Sequence, residues 1–152
     1  MERLHPRVRF VWLSVVLLLA VVAGAVSAVA QYRFTGDWWV GVAVAVVVAG
    51  VGATYTVLRY RAWRFEVQAD ALFIERGVLT RITTVAPFVR VQHVDSQRGP
   101  IARLAGLAEV VVYTAGSRGA DVSIPGLTPD RATALRERLR ELAIESESED
   151  AV

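Results

Sequence analysis

The stretch VRVQHVDSQRGPIARLAGLAEVVVYTAG, residues 89–116, combines two strand patterns with a helical turn between them. Apolar and polar residues alternate in FVRVQHV (88–94), which is typical of a half-buried strand. After a Gly-Pro pair, the apolar residues of IARLAGL (101–107) recur at helical spacing. AEVVVYTA (108–115) is the most apolar strand pattern in the chain. The stretch therefore predicts two strands joined through a short helix.

The strand pattern also occurs before and after this stretch. Further strands are predicted at WRFEVQA (63–69), LFIERGVL (72–79), RITTVAP (81–87) and ADVSI (120–124). Gly77 indicates a bulge or a tight turn, and GSRG (116–119) is typical of a hairpin turn. Residues 59 onward thus predict about six short antiparallel strands.

A C-terminal helix follows the strands. Thr128 is a favourable N-cap and Pro129 suits the first helical position. A single apolar stripe then runs along the helix through Ala132, Leu135, Leu139 and Leu142. After Ala143 the tail, residues 144–152, is strongly acidic, and we expect it to be disordered.

The N-terminal third of the chain has the composition of membrane-spanning helices. Residues 10–30 and 38–58 are uncharged apolar runs of 21 residues each, enough to cross the hydrocarbon core. The link 31–37 has room only for a hairpin turn. Small residues recur every fourth position, at Ala20, Gly24 and Ala28 and at Gly41, Ala45, Ala49 and Ala53. They favour a closely packed hairpin, with pairing between copies as the alternative.

Arginines near the ends of the two runs predict the orientation in the membrane. The N-terminal flank carries Arg3, Arg7 and Arg9, and the flank after the second run carries Arg59, Arg61 and Arg64. The intervening loop has only Arg33, beside Asp37. We therefore expect a multi-pass plasma-membrane protein with both termini cytoplasmic. Its predicted parts are an N-terminus (1–9), a hairpin (10–58), a soluble domain (59–143) and a tail (144–152).

One alternative for the first run remains open. MERLHPRVR, an apolar run and AVA before Gln31 also resemble a secretory signal peptide, although the apolar part exceeds the usual length of such signals. Cleavage there would leave the second run as a span and residues 59–152 in the cytoplasm.

Composition excludes several kinds of chemistry. The chain has no Cys, so disulfides, thiolate nucleophiles and Cys-ligated metal clusters are impossible. The two histidines, His5 and His93, lie far apart without metal-ligand spacing, so no metal and no cofactor are predicted. Basic and aromatic residues do not interleave as nucleic-acid binding requires, and no small-molecule substrate is evident.

His93, Asp95 and Ser96 are the residues that most resemble a catalytic group. In an extended strand His93 and Asp95 point the same way, about 6.5–7 Å apart, too far for a direct hydrogen bond. The alternation breaks near Gln92 and His93, which indicates a bulge or a strand end. We therefore expect no catalytic residues, and we expect His93 and Asp95 to bond to the backbone at this break.

Several separated motifs together resemble a known family. LHPRVR, YRAWRFEVQADALFIERGVLTRITTVAP, the opening stretch and VSIPGL occur in order across about residues 4–142. They resemble the bacterial pleckstrin-homology-like (PH-like), membrane-flanked domain family, of the YdbS-like kind. The resemblance implies a two-helix transmembrane hairpin and a mainly-β PH-like domain. In such a domain a bent antiparallel sheet of seven strands forms a partly open barrel, capped by the C-terminal helix.

Arginines are the remaining candidates for a binding site. Residues 59–140 carry 13 Arg and 8 acidic residues, a formal charge of +5. Arg59, Arg61 and Arg64 are expected to contact the lipid surface, because they flank the second span. A ligand- or partner-facing edge could draw only on loop arginines, namely Arg90, Arg98, Arg103 and Arg118.

These observations predict a non-catalytic membrane protein. Its PH-like domain would bind protein partners, or further copies of itself, near the inner leaflet. The alternative is a sensor of anionic lipid headgroups or a subunit of a membrane transport assembly. No charged residue lies within either span, which disfavours a self-contained channel or pump.

Overall fold

The computed structural model describes residues 1–115 and 121–150, and the side chains of all of these except 149 and 150. The chain folds into two compact units. One is a helical hairpin, Arg9–Tyr60, and the other joins Met1–Val8 to Arg61–Val152. The predicted turn 116–119 and the final residues 151–152 lie outside the described residues.

The hairpin consists of two helices, α1 (Val8–Thr35) and α2 (Trp39–Ala62). Both are longer than the apolar runs, because helical hydrogen bonding continues into the polar flanks. α1 alone, with 28 residues, measures about 42 Å at 1.5 Å per residue. It ends at Thr35, and the next residue, Gly36, has a φ of 76° and an N–H bond to the Tyr32 carbonyl (3.2 Å), as is typical after a helix C-terminus. The predicted link 31–37 is therefore largely helical.

Small residues bring α1 and α2 into close contact. A Cβ added at Gly24 would lie 2.7 Å from the Ala45 Cβ, and one added at Gly41 would collide with Ala28. At the other end of the hairpin the Arg59 guanidinium lies 4.3 Å from the centre of the Trp12 ring. The predicted packed hairpin is thus confirmed within one chain.

The other unit contains six strands among the described residues, as two separate three-stranded antiparallel sheets. The first sheet has the order β1-β2-β3 and the second β4-β5-β6. The strands are β1 (Arg64–Val67), β2 (Ala71–Arg76), β3 (Ile82–Pro87), β4 (Val91–Gln97), β5 (Ala108–Thr114) and β6 (Val122–Leu127). In the described part of the chain the strands do not close a barrel, an arrangement consistent with a PH-like domain.

Helices complete this unit. A short helix, α3 (Pro100–Leu104), joins β4 to β5, and a long helix, α4 (Pro129–Asp150), closes the chain. α4 packs against β4, β5 and a 3-10 turn at Phe88–Arg90. Its first residue is Pro129, as predicted from the Thr128-Pro129 pair.

The core is formed by the inward residues of both sheets and the apolar stripe of α4. Its members, all fully buried, include Phe65, Leu72, Ile74, Phe88, Val110, Val112, Ile124, Ala132 and Leu139. Each buried Leu, Ile, Val or Phe side chain contributes about 1.5–3 kcal/mol by leaving water. One shared core therefore holds the two sheets and the helix together.

The N-terminal segment Met1–Val8 belongs to this unit, whereas the sequence indicated only a cytoplasmic flank of the first span. Backbone bonds join Glu2 to Phe65 in both directions, at 2.7 and 3.1 Å. Leu4 and Val8 are each only 2% exposed. The segment has no alternation that would predict a strand, so its role depends on tertiary contacts.

The strand predicted at 88–94 is divided in the structure between a 3-10 turn and β4. Phe88–Arg90 form the 3-10 turn, which places the Phe88 side chain in the core directly after Pro87. β4 then continues to Gln97, with an irregular register between Val91 and His93. The predicted bulge is confirmed, and the alternative of a strand end at this point is wrong.

The acidic tail is helical as far as Asp150, so the prediction of disorder from residue 144 is wrong for residues 144–150. Hydroxyl groups bond back along the helix, from Ser146 to the Ala143 carbonyl (2.9 Å) and from Ser148 to the Glu145 carbonyl (2.7 Å). Glu is also a good helix former, so charge alone did not decide the local structure.

Candidate functional site

His93, Asp95 and Ser96 lie on the exposed part of β4 and form no catalytic arrangement. The His93 ring stacks on the ring of Tyr113, its partner across the strands, with centroids 4.2 Å apart. Asp95 and Ser96 are exposed. Among the described residues neither His93 nor Asp95 forms a side-chain hydrogen bond to the backbone, so the expectation of such bonds at the bulge is not confirmed. This cluster is a surface feature of the strand pair.

An open groove of about 500 Å³ lies between the start of β4 and the C-terminal half of α4. Its apolar lining comes from Val91 and Val94 on the strand and from Ala143 and Ile144 on the helix. Arginine and glutamate side chains of α4 also line it, namely Arg136, Glu137, Arg140 and Glu147. Ile144 is 57% exposed, which leaves an apolar side chain available in the groove.

The strand side of this groove follows an edge of the second sheet. Among the strands that the structure describes, β4 pairs only with β5. An edge strand presents backbone N–H and C=O groups that can pair with an added strand. A second groove, of about 580 Å³, lies between Pro87 and Val89 on one side and Leu142 on the other. Pro87 is the one edge-strand residue that lines the second groove, whereas the first groove is lined by four consecutive residues of the edge strand β4, from Val91 to Val94.

Four arginines surround a smaller cleft, of about 120 Å³, in the first sheet. Arg61 and Arg64 come from the end of α2 and the start of β1, and Arg76 and Arg81 come from the β2–β3 hairpin. Glu75 and Thr83 also line it. We call this site the arginine cleft.

The register of the first sheet explains how these side chains meet. Arg64 lies opposite Glu75, and Glu75 lies opposite Thr83, so the three share one face. Arg76 and Arg81 flank the hairpin turn, where Gly77 has a φ of 107° that favours glycine. The predicted tight turn at Gly77 is thus confirmed, and it brings the two arginines back to the same end of the sheet.

The structure places the predicted site residues in different parts of the molecule. Arg61 and Arg64 line the arginine cleft, whereas Arg59 contacts Trp12 in the hairpin unit. Arg90, Arg98 and Arg103 are exposed and do not line the cleft. Arg118 lies outside the described residues. Sequence reasoning missed Arg76 and Arg81, although RGVLTR, with one arginine at each end of a turn, contained the signal.

Comparison with known proteins agrees with this architecture. The chain belongs to the bacterial PH domain family, whose model matches residues 8–143. It is similar to the transmembrane protein YdbS of Bacillus subtilis (strain 168), with 35% identity over 141 residues. The match covers 90% of this chain and 85% of YdbS. No solved structure gives a significant match.

These findings define a YdbS-like transmembrane protein with a bacterial PH domain. Its candidate spans are the two long apolar helices, α1 with 28 residues and α2 with 24. The family is not a known class of enzyme. Both surfaces described above, the groove and the arginine cleft, belong to the unit formed by Met1–Val8 and Arg61–Val152.

Proposed function

We propose that the protein is a non-catalytic interaction module of the plasma membrane. Its PH-like domain takes an extended segment of a partner protein into the groove between β4 and α4. The observation that carries the proposal is the apolar lining beside an edge strand, in a space of about 500 Å³. Volumes of this size are typical of binding sites in proteins.

A cytoplasmic location of the domain is part of the proposal. The arginines that flank the two spans favour the cytoplasm for both flanks. Met1–Val8 and Arg61–Val152 form one compact unit, so both flanks would lie on the same side of the membrane. Two spans satisfy this condition, because a hairpin returns the chain to the side from which it started.

An extended segment fits the groove for two reasons. An added strand would pair its backbone with the edge of β4, which supplies affinity without regard to sequence. Its alternate side chains would then point towards Val91 and Val94 or towards Ile144, which supplies specificity. The charged residues of α4 would select the polar residues of the segment.

A different protein is a better occupant than a second copy of this chain. In a symmetric pair both copies would offer the same β4 edge, and each would bring its own α4 beside that edge. A single strand requires less room than a second sheet with its helix. We therefore propose a partner that supplies an extended segment.

Site-specific photo-crosslinking in intact cells tests this function. A photo-reactive residue is placed at Gln92 on the strand side of the groove or at Ile144 on the helix side. Leu104, which is 90% exposed on α3 and does not line the groove, is the control position. We expect both groove positions to capture the same peptide of one partner, and the control position not to capture it.

The masses of the adducts distinguish the possible outcomes. An adduct with this chain itself would show that the groove binds a second copy and not a different protein. Unrelated adducts at Gln92 and Ile144, or equal capture at Leu104, would contradict the proposed groove.

A further inference from the structure

We propose that the arginine cleft binds the phosphate group of an anionic membrane lipid. The site lies in the first sheet and shares no lining residue with the groove. The inference is therefore independent of the proposed protein partner.

The charges of the cleft favour an anion. Four guanidinium groups and one carboxylate line it, which gives a net charge of +3 (four positive, one negative). Among the described residues, none of the four arginines has an ion-pair partner within 4.0 Å. Like charges gathered around a space of about 120 Å³ repel one another, and a bound anion would remove that repulsion.

The donors match a phosphate group in both chemistry and size. Each guanidinium presents a planar fork of N–H groups that fits two phosphate oxygens. Thr83 adds a hydroxyl on the same face as Arg64. The cleft of about 120 Å³ is small, on the scale of a single phosphate group. The rest of the ligand would therefore extend out of the cleft.

Two features favour a lipid over a soluble phosphate. Arg61 follows the apolar run 38–58 by three residues, which places this lining residue next to a membrane span in sequence. Leu79, in the turn between Arg76 and Arg81, is 95% exposed. An exposed leucine between two cleft arginines suits an acyl-chain environment, with the arginines at the level of the phosphates.

Binding measurements on the full-length protein in neutral detergent test the site. The ligands are short-chain phosphatidylglycerol, short-chain phosphatidylcholine and inorganic phosphate, each at low and at high salt. Arg76→Gln with Arg81→Gln is the cleft variant. Arg98→Gln with Arg103→Gln, an equal charge change at exposed positions in the connection between β4 and β5, is the matched control.

We expect phosphatidylglycerol to bind the wild type at least tenfold more tightly than phosphatidylcholine does. The cleft variant should weaken that binding by about 30-fold, and the control by less than about threefold. Leu79→Ser should weaken the binding of phosphatidylglycerol and leave that of inorganic phosphate unchanged. All three variants change exposed side chains, so melting temperatures close to that of the wild type are expected.

Three results would overturn the inference. An unchanged affinity of the cleft variant, or an equal loss of affinity in the control, would show that the arginine cleft is not the binding site. Equal affinities for the two lipids would show that the cleft does not prefer an anionic headgroup. Inorganic phosphate that binds as tightly as phosphatidylglycerol, with no effect of Leu79→Ser, would make the ligand a soluble phosphate.

Discussion

The two sheets of the PH-like domain have the same construction and different surfaces. Each has three antiparallel strands in chain order, and each turns its apolar residues to one shared core. The first sheet carries the arginine cleft, whereas the second carries the stacked His93 and Tyr113 rings and the groove beside α4. The inward residues thus define the fold, and the outward residues give each sheet its own chemistry.

Matched substitutions of core residues, one in each sheet, are expected to have the largest effect. Ile74→Ala in β2 and Ile124→Ala in β6 each remove a fully buried side chain, which costs about 2–5 kcal/mol of unfolding free energy. Because the sheets share one core, either change should weaken the whole domain. Hydrogen exchange of the full-length protein measures this loss of stability in both sheets. Loss of protection confined to the substituted sheet would show that the sheets are independent.

A smaller effect is expected at the N-terminal segment. Leu4→Ala removes a buried side chain, but the cost should be only about 2 kcal/mol, because the short segment can detach locally without unfolding the domain. Faster amide exchange at Glu2 and Phe65, whose backbones are bonded to each other, would show the detachment. Leu104→Ala, at a 90% exposed position, is the control and should cost less than about 0.5 kcal/mol. Equal effects of the two changes would contradict the packing of Leu4 in the core of the domain.

Much of the fold follows from periodicity in the sequence. The two apolar runs, the alternating strands and the Thr128-Pro129 start of α4 each carry a local signal that the structure bears out. The N-terminal segment was missed, because only its backbone bonds to Phe65 and its buried Leu4 reveal its place. The end of α4 is helical although its acidic composition predicts disorder, because Glu has a high helix propensity.

The candidate sites were less predictable than the fold. Arg61 and Arg64 were recognised by their position after a span, but Arg76 and Arg81 join them only through the hairpin at Gly77. The groove depends on where the last turns of α4 pass β4, which no short sequence pattern records. Sites formed by residues from distant elements require the tertiary structure.

The most direct test is to ask whether the two surfaces can be lost separately. The Arg76→Gln, Arg81→Gln variant and an Ile144→Glu variant are each measured for phosphatidylglycerol affinity and for crosslinking from Gln92. Both change exposed side chains, so stability should differ from the wild type by less than about 0.5 kcal/mol. We expect the first variant to lose only lipid binding and the second only the crosslinked partner. If either variant loses both, or if neither loses anything, the two sheets do not carry separate binding surfaces.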